Sequence, residues 1–150
     1  MVTAEQFDQM MKANNFDVLM GEKVVDISPG RVEVVFDTTV EKHSNRRGEV
    51  HGGALVAVSD SAMGAACFTL GKYISTLSIS GNYVRPAKAG DSIRIVAEVE
   101  HNGRRTMVVE CHFYNPKGKL VYIGKGTFYV RGSLTEDDIA QRLAESKENG

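Results

Sequence analysis

The chain has 150 residues, of which 42% are hydrophobic and 25% charged, and its formal net charge is −1. Length and composition are typical of one globular domain with a sizeable core, and the near-neutral charge excludes a global field that would attract nucleic acid or an anionic membrane. Because no apolar run approaches the roughly 18 residues of a membrane span and the N-terminus lacks the regions of a signal peptide, we expect a cytoplasmic protein with no membrane or nucleic-acid partner.

The first predicted element is a short N-terminal helix. Thr3 followed by Gln6 is a capping-box signature, and three apolar residues follow at helical spacing. We expect this helix to end near Asn14 and Asn15.

Two strands are predicted next, at residues 23–28 and 31–37. The dipeptide Pro29-Gly30 between them is typical of a turn. In the second strand the apolar residues alternate and form one face, and a polar loop follows at 38–48.

In the segment 51–70 the apolar residues no longer alternate with polar ones. Its length, its alanines and its nearly all-round apolarity favour a buried helix over a strand, and Gly71 is well placed to end it. A helix this apolar needs cover on most sides, which one sheet curled around it would supply.

The remainder is predicted to be strand and turn, closed by a polar C-terminal helix capped at Ser133 or Thr135. In the first of these strands, alternation places Leu77 and Ile79 on one face and Thr76 on the other. The expected strands span 75–84, 91–100, 106–114 and 120–130. A buried helix followed by an antiparallel meander is an α+β arrangement, and its uncovered sheet face or strands suggest oligomerisation.

The start of the long helix offers a place for developing negative charge. Gly52 and Gly53 stand in the first turn, where backbone N–H groups are unpaired and carry a partial positive charge. Glycines let a ligand approach this backbone closely, so the turn can hold a carbonyl oxygen as charge develops on it. The same glycines equally fit a tight turn into a helix without a ligand.

Asp60 interrupts the apolar helix nine residues after His51. A lone carboxylate near Leu55, Val58 and Met63 has few ways to be satisfied. It is therefore a candidate base or nucleophile, although an acid in a helix also serves to bond a neighbouring loop.

Three other polar residues are candidates only in combination. The amide of Asn45 can orient water or a carbonyl, or can be an ordinary loop amide. His51 can contact substrate or fix its loop through hydrogen bonds. Thr76 lies in a predicted strand, where threonine is common in any case.

The two cysteines and four histidines are scattered along the chain. Neither Cys67 nor Cys111 belongs to a CxxC pair, and no HExxH pattern joins the histidines. We therefore expect no metal site and no disulfide, and both cysteines fit small buried side chains.

Together these residues resemble the signature of a known family. The pattern Asn45-x2-Gly48-x2-His51-Gly52-Gly53-x6-Asp60-x-Ala62-x-Gly64 is similar to that of the hotdog-fold acyl-CoA thioesterases, specifically their PaaI-type branch. Segments 75–79, 82–91, 102–106 and 118–121 match as well. The resemblance covers roughly residues 20–131, which would form the core of a single domain over 1–150.

The resemblance implies a hotdog fold, in which an antiparallel β-sheet wraps a long central helix. It also implies homodimers with active sites at the subunit interface, commonly paired into homotetramers. The acid would come from one subunit, and the glycine and asparagine from the other.

The resemblance further implies a role for each candidate. Asp60 would be the catalytic carboxylate, as general base on water or as nucleophile, and Thr76 would help it hold water. Gly52, with help from Gly53, would polarise the thioester carbonyl, and Asn45 would position the water or the carbonyl.

Basic residues near turns are candidates for the CoA phosphates: Arg85, Lys88, Arg104 and Arg105, with the last two preferred. Glu49 departs from the family pattern, in which a small or apolar residue is frequent. A second acid there would raise the pKa of the catalytic acid, disfavour anionic acyl groups, or simply point to solvent.

The expected reaction is hydrolysis of an acyl-CoA to free acid and CoA. A thiolate leaves readily, so an acid, an oxyanion donor and a held water suffice, with no cofactor beyond the CoA of the substrate. Two alternatives stay open: a non-catalytic acyl-CoA-binding regulator, and a hydratase or dehydratase, against which the order of His51 and Asp60 counts.

Overall fold

The computed structural model describes residues 2–148. Five helices and six strands make up this part of the chain: α1 Ala4–Met11, α2 Asn15–Met20, β1 Glu22–Ser28, β2 Arg31–Asp37, α3 Val40–His43, α4 Gly52–Phe68, β3 Lys72–Tyr83, β4 Ser92–Asn102, β5 Thr106–Tyr114, β6 Leu120–Ser133 and α5 Glu136–Glu148. None of the helices in this range is long and apolar enough to cross a membrane.

The six strands form one antiparallel sheet in the order β1-β2-β4-β5-β6-β3. The long helix α4 packs against β2, β3, β4, β5 and β6. A central helix wrapped by an antiparallel sheet confirms the expected α+β class and the hotdog fold.

The core lies between α4 and the concave face of the sheet. Val58, Met63 and Cys67 of the helix are fully buried, as are Phe36 and Ile95 of the strands. Burying a large apolar side chain of this kind stabilises the fold by about 1.5–3 kcal/mol. The apolar side chains of the helix and the inward-facing apolar side chains of the strands therefore bury one another.

Glycines on β6 let the helix approach the sheet closely. A Cβ atom on Gly124 would lie 2.7 Å from the Sγ atom of Cys111 and 3.5 Å from the Cβ atom of Ser59 in α4. A Cβ atom on Gly126 would lie 3.0 Å from the Cε atom of Met63. A larger residue at Gly126 would therefore press on Met63 of the helix, whereas one at Gly124 would press first on Cys111 of the neighbouring strand β5.

Most predicted elements are confirmed, whereas two short helices were missed. The α1 capping box forms, with reciprocal bonds between Thr3 and Gln6, and β1, β2 and β5 agree with the predicted strands to within one residue. Helix α2 has six residues and α3 four. Segments this short carry too few apolar repeats for periodicity to reveal them.

The predicted faces of β3 are wrong at one point. The pairing steps from Thr76 opposite Phe128 to Ser78 opposite Thr127, so Leu77 is the extra residue of a β-bulge. An extra residue shifts the alternation of a strand. Consequently Leu77 is 60% exposed, Ile79 packs on the core, and Thr76 points to the helix side rather than away from it.

We predict that Gly124→Ala lowers the free energy of unfolding by about 1–3 kcal/mol, because the new methyl group overpacks the space held by buried Cys111. Urea denaturation followed by circular dichroism measures this change. The matched control is Gly132→Ala on the same strand, where the nearest atom to a new Cβ lies 3.9 Å away. Equal stability of the two variants would contradict the packing argument.

Candidate active site

The N-terminus of α4 presents an unpaired backbone N–H group. His51 caps the helix, and its Nδ1 atom accepts a hydrogen bond from the Gly53 N–H group at 2.9 Å. The Gly52 N–H group forms no hydrogen bond within residues 2–148. The Gly53 N–H group, expected to assist, is occupied by this cap, so Gly52 is the unpaired donor of the two glycines.

A cleft of about 430 Å³ opens beside this N–H group. Its walls include Asn45, Leu55, Tyr83 and Arg85 as well as Gly52. The Tyr83 hydroxyl donates a hydrogen bond to the Gly52 carbonyl at 3.0 Å. This contact holds the first peptide of the helix in place next to the cleft.

The side chain of Asn45 shapes the loop that borders this cleft. Its Oδ1 atom accepts hydrogen bonds from the backbone N–H groups of Arg47 at 2.8 Å and Glu49 at 3.2 Å. The amide Nδ2 group has no partner in the described part of the chain. Asn45 therefore has a structural role through its oxygen and a free donor on the cleft.

Asp60 lies on a flank of α4 and not in the core. It is half-buried, and its Oδ1 atom accepts a hydrogen bond from the Thr76 hydroxyl at 2.8 Å. The expectation of a carboxylate buried among apolar side chains is corrected, because neighbours such as Val58 and Ala62 are buried in the core whereas Asp60 lies beside the edge strand β3. The β3 bulge is what turns Thr76 toward it.

A second cleft, of about 510 Å³, opens beside Asp60 and Thr76. Gly64 and Phe68 of α4 continue its wall along the helix, and Ile74 of β3 faces them. Residues from α1, α2 and α5 close the other side: Met10, Met11, Phe16, Asp17 and Arg142. Met63 of the same helix is fully buried and does not line this cleft.

The structure brings the candidates together in two groups and not in one. Asn45, Gly52 and Arg85 share the first cleft, whereas Asp60 and Thr76 share the second. Eight residues of helix separate Gly52 from Asp60, which is about 12 Å of rise. Within one chain, the acid and the N–H donor therefore cannot act on the same carbonyl group.

The four predicted basic residues are similarly divided. Arg85 lines the first cleft, and its guanidinium donates to the Leu120 carbonyl at 2.8 Å. Lys88 pairs through its backbone with Glu49. Arg104 and Arg105 lie exposed on the hairpin between β4 and β5, at the other end of the sheet.

Glu49 lines the first cleft, near the N-terminus of α4, whereas Asp60 lies about two turns further along the helix. The Glu49 carboxylate pairs with the Arg47 guanidinium at 3.2 Å. In one chain Glu49 is therefore an acid of the Gly52 cleft and not a neighbour of the candidate base.

A pair of acids that no sequence pattern predicted lies behind the second cleft. Asp17 of α2 accepts a hydrogen bond from the Ser61 hydroxyl at 2.6 Å, and it shares a crevice with Glu22 at the start of β1. Burial raises the pKa of Glu22 to about 7, and the negative charge of Asp17 adds to this rise. Two acids flanking a short apolar stretch were the only sign of the pair in the sequence.

Both cysteines are fully buried and unpaired. Burial raises the pKa of the Cys67 and Cys111 thiols to about 12, so neither provides a thiolate near neutral pH. Within residues 2–148 no three histidine, cysteine, aspartate or glutamate side chains are grouped as metal ligands.

The chain is similar in sequence to known thioesterases. A family model described as the thioesterase superfamily matches residues 47–137. The chain is 26% identical over 117 residues to acyl-coenzyme A thioesterase PaaI of Escherichia coli, covering 77% of this chain and 83% of that relative. It is 31% identical over 130 residues to acyl-coenzyme A thioesterase 13 of Homo sapiens, covering 84% of this chain and 92% of the relative.

Solved structures share the fold. The Escherichia coli PaaI structure superposes with a TM-score of 0.80 at 23% identity, over 89% of this chain and 99% of that one, a likeness that shows the fold alone. A Streptococcus pneumoniae structure, described as a hypothetical thioesterase protein with coenzyme A, superposes with a TM-score of 0.77 at 30% identity. This superposition covers 83% of the present chain and 99% of the Streptococcus pneumoniae chain.

We predict that Glu22→Gln changes how stability depends on pH. The wild-type protein should lose stability as pH rises from about 4.5 to about 7, because the unfolded carboxyl ionises in this window while the folded one keeps its proton. Glu22→Gln removes that loss, so its free energy of unfolding relative to wild type should rise between pH 5 and pH 8.

Urea denaturation at both pH values measures the effect. Glu41→Gln, at an exposed position of α3, is the control and should follow the wild-type pH dependence. A Glu22→Gln protein with an unchanged pH dependence would contradict the assignment.

Proposed function

We propose, on the premise that the chain belongs to the thioesterase superfamily, that it hydrolyses acyl-CoA thioesters to the free acid and CoA. The observation that carries the proposal is the hydrogen-bonded pair of Asp60 and Thr76 on an open cleft. The unpaired Gly52 N–H group at the start of the same helix supplies the second element of the chemistry.

Asp60 activates the attacking group. Its Oδ1 atom accepts a hydrogen bond from Thr76, which fixes the carboxylate orientation and leaves Oδ2 for a water molecule or for direct attack on the thioester carbonyl. Base and nucleophile are both compatible with this position. Thr76 is a positioning residue on either route.

Gly52 stabilises the oxygen of the carbonyl as negative charge develops. An N–H group at the first position of a helix has no intrahelical acceptor and carries the positive end of the helix dipole. The free amide of Asn45 on the same cleft is a second donor for water or carbonyl. The thiolate of CoA then leaves without assistance from a strong acid.

Two copies of the chain form each site. Because Asp60 and Gly52 are about 12 Å apart along one helix, the donor must come from a partner subunit. Strand β3 is an edge of the sheet and carries exposed Leu77 and Tyr83, and an uncovered apolar edge favours pairing with a second copy. We infer a homodimer through this edge, with pairing into a tetramer as in the resembling family.

The CoA portion of the substrate extends from this interface to the surface. Its phosphates need basic side chains, for which Arg85, Lys88, Arg104 and Arg105 are the proposed contacts. All four are exposed and form no ion pair within residues 2–148, and Arg104 and Arg105 are preferred because they bring two adjacent charges to one hairpin.

We predict that Asp60→Asn lowers kcat by about 100-fold or more, because the amide keeps the shape of the carboxylate but cannot accept a proton or attack. A thiol-reactive dye measures CoA release from a panel of acyl-CoAs. Asp37→Asn, at an exposed position at the end of β2, is the control and should keep wild-type turnover.

Wild-type turnover in Asp60→Asn would overturn the assignment of the acid. No CoA release from any member of the panel by the wild-type protein would overturn the proposed reaction. Binding of acyl-CoA without turnover would favour the regulatory alternative.

We predict that Gly52→Pro lowers kcat by about 10²–10³-fold, since it deletes one oxyanion donor. Proline is well tolerated at the first helical position, and His51 before it is extended, with ψ 135°, as a residue preceding proline must be. Gly52→Ala is the matched control, because it adds the same Cβ atom near Tyr83 but keeps the N–H group. Equal kcat values for the two variants would contradict the donor role.

Mixing Asp60→Asn and Gly52→Pro subunits extends the same prediction to the interface. After unfolding and joint refolding, each mixed dimer should hold one intact site, which restores about a quarter of wild-type activity. Activity that stays at the level of the separate variants would show that one chain supplies both groups.

A further inference from the structure

Basic side chains gather at the far end of the cleft that starts at Asp60. Asp60, Gly64 and Phe68 follow one another at four-residue spacing on one side of α4, which makes the cleft about 12 Å long. Lys72 at the start of β3 and Arg142 of α5 line it. The cleft thus has the candidate acid at one end and cationic groups at the other.

Arg142 is held in place by aromatic rings. Its guanidinium carbon lies 4.8 Å from the ring centre of Tyr73 and 5.5 Å from that of Phe68, and the two rings pack edge to face at 6.5 Å. Cation–π contacts of this kind hold a guanidinium in place without using its N–H donors. The charge is therefore preorganised for a ligand.

Hydrogen bonds from Thr135 and, to a smaller extent, the charge of Arg142 lower the pKa of Asp138, but no carboxylate lies within ion-pair distance of Arg142 in residues 2–148. Arg142 also forms no side-chain hydrogen bond there. Asp138, one turn earlier on α5, accepts hydrogen bonds from the backbone N–H and hydroxyl groups of Thr135 at 2.7 and 2.8 Å. The Asp138 carboxylate is thus hydrogen-bonded at the N-terminus of α5.

Lys72 brings further positive charge to the same end. Its ammonium group donates to the Gly103 carbonyl at 2.9 Å, a neutral acceptor that leaves the charge uncompensated. Gly103 belongs to the hairpin that carries Arg104 and Arg105. Lys72 therefore ties this hairpin to the start of β3, next to the ring on which Arg142 stacks.

We propose that this basic cluster, comprising Lys72, Arg104, Arg105 and Arg142, binds the phosphorylated nucleotide end of CoA, and that Arg142 of α5 is a phosphate contact. The proposal rests on the proposed function. A nucleotide with a pyrophosphate and a 3′-phosphate carries several negative charges, and a planar guanidinium binds phosphate through two parallel hydrogen bonds. The matched family region ends at residue 137, and Arg142 lies beyond it, in the C-terminal helix.

An acyl group that ends in a carboxylate is the other source of the same anionic chemistry. The two sources differ in where the anion sits on the substrate. Thioesters of N-acetylcysteamine carry the acyl group without the nucleotide, so a comparison with acyl-CoA separates them.

The test compares Arg142→Gln with wild type on an acyl-CoA and on the N-acetylcysteamine thioester of the same acyl group. We expect KM for the acyl-CoA to rise about tenfold, as for the loss of one charge-assisted hydrogen bond, with kcat unchanged. The kcat/KM for the N-acetylcysteamine thioester should also be unchanged. Lys147→Gln, at an exposed position on the same helix, removes an equal charge and should leave both substrates unaffected.

An equal loss on both substrates, or an equal effect of Lys147→Gln, would overturn the proposal. So would a loss confined to thioesters with a terminal carboxylate, which would assign the anion to the acyl group. Circular dichroism checks folding, and Arg142→Met, which still covers the rings, gives the same readout if Arg142→Gln is unfolded.

Calorimetry with CoA and with CoA lacking its 3′-phosphate keeps the two proposals separate. We expect Arg142→Gln to weaken CoA binding whether or not the protein turns over a thioester, and unchanged binding of both compounds would overturn the nucleotide site. Absence of hydrolysis by the wild-type protein, with CoA binding still dependent on Arg142, would overturn the reaction alone.

Discussion

The structure depends on the burial of one helix that is apolar on nearly every side. Helix α4 cannot face water, so the sheet curls around it, and β6 carries glycines where it packs against the helix. At Gly124 and Gly126 the side chains of Ser59 and Met63 of α4 pack directly on the backbone of the strand. In a helix held in this way, Gly52 and Asp60 keep a constant separation.

That constant separation links chemistry to assembly. Asp60 and the Gly52 N–H group lie about two turns apart on α4, whereas both must reach one carbonyl group. The proposed reaction therefore needs the α4 helices of two copies of the chain side by side. The outer face of the sheet is occupied by ion pairs such as Arg31 with Glu98 and Arg94 with Glu33. The exposed apolar side chains of the β3 edge are the better surface for a second copy.

The segments outside the sheet determine what surrounds the acid. Helices α1 and α2 form one wall of the Asp60 cleft, and Asp17 fastens α2 to α4 through Ser61, the residue next to the acid. Helix α5 adds Arg142 at the far end. These elements add walls to the cleft, whereas α4 and β3 carry the candidate acid and its hydrogen-bond partner.

The sequence by itself determined the elements and the identity of the main candidates, because both depend on local patterns. Alternation defined β1, β2 and β5 to within one residue, the apolar run defined α4, and Asp60 and Gly52 were visible as departures from that run. The direction of Thr76 was decided only in three dimensions, since a single extra residue at Leu77 reverses alternation and appears only through pairing with β6. The occupied Gly53 N–H group, the rise in the pKa of Glu22 and the stacking of Arg142 likewise depend on side-chain contacts, several of them between residues far apart in the chain, which no local pattern records.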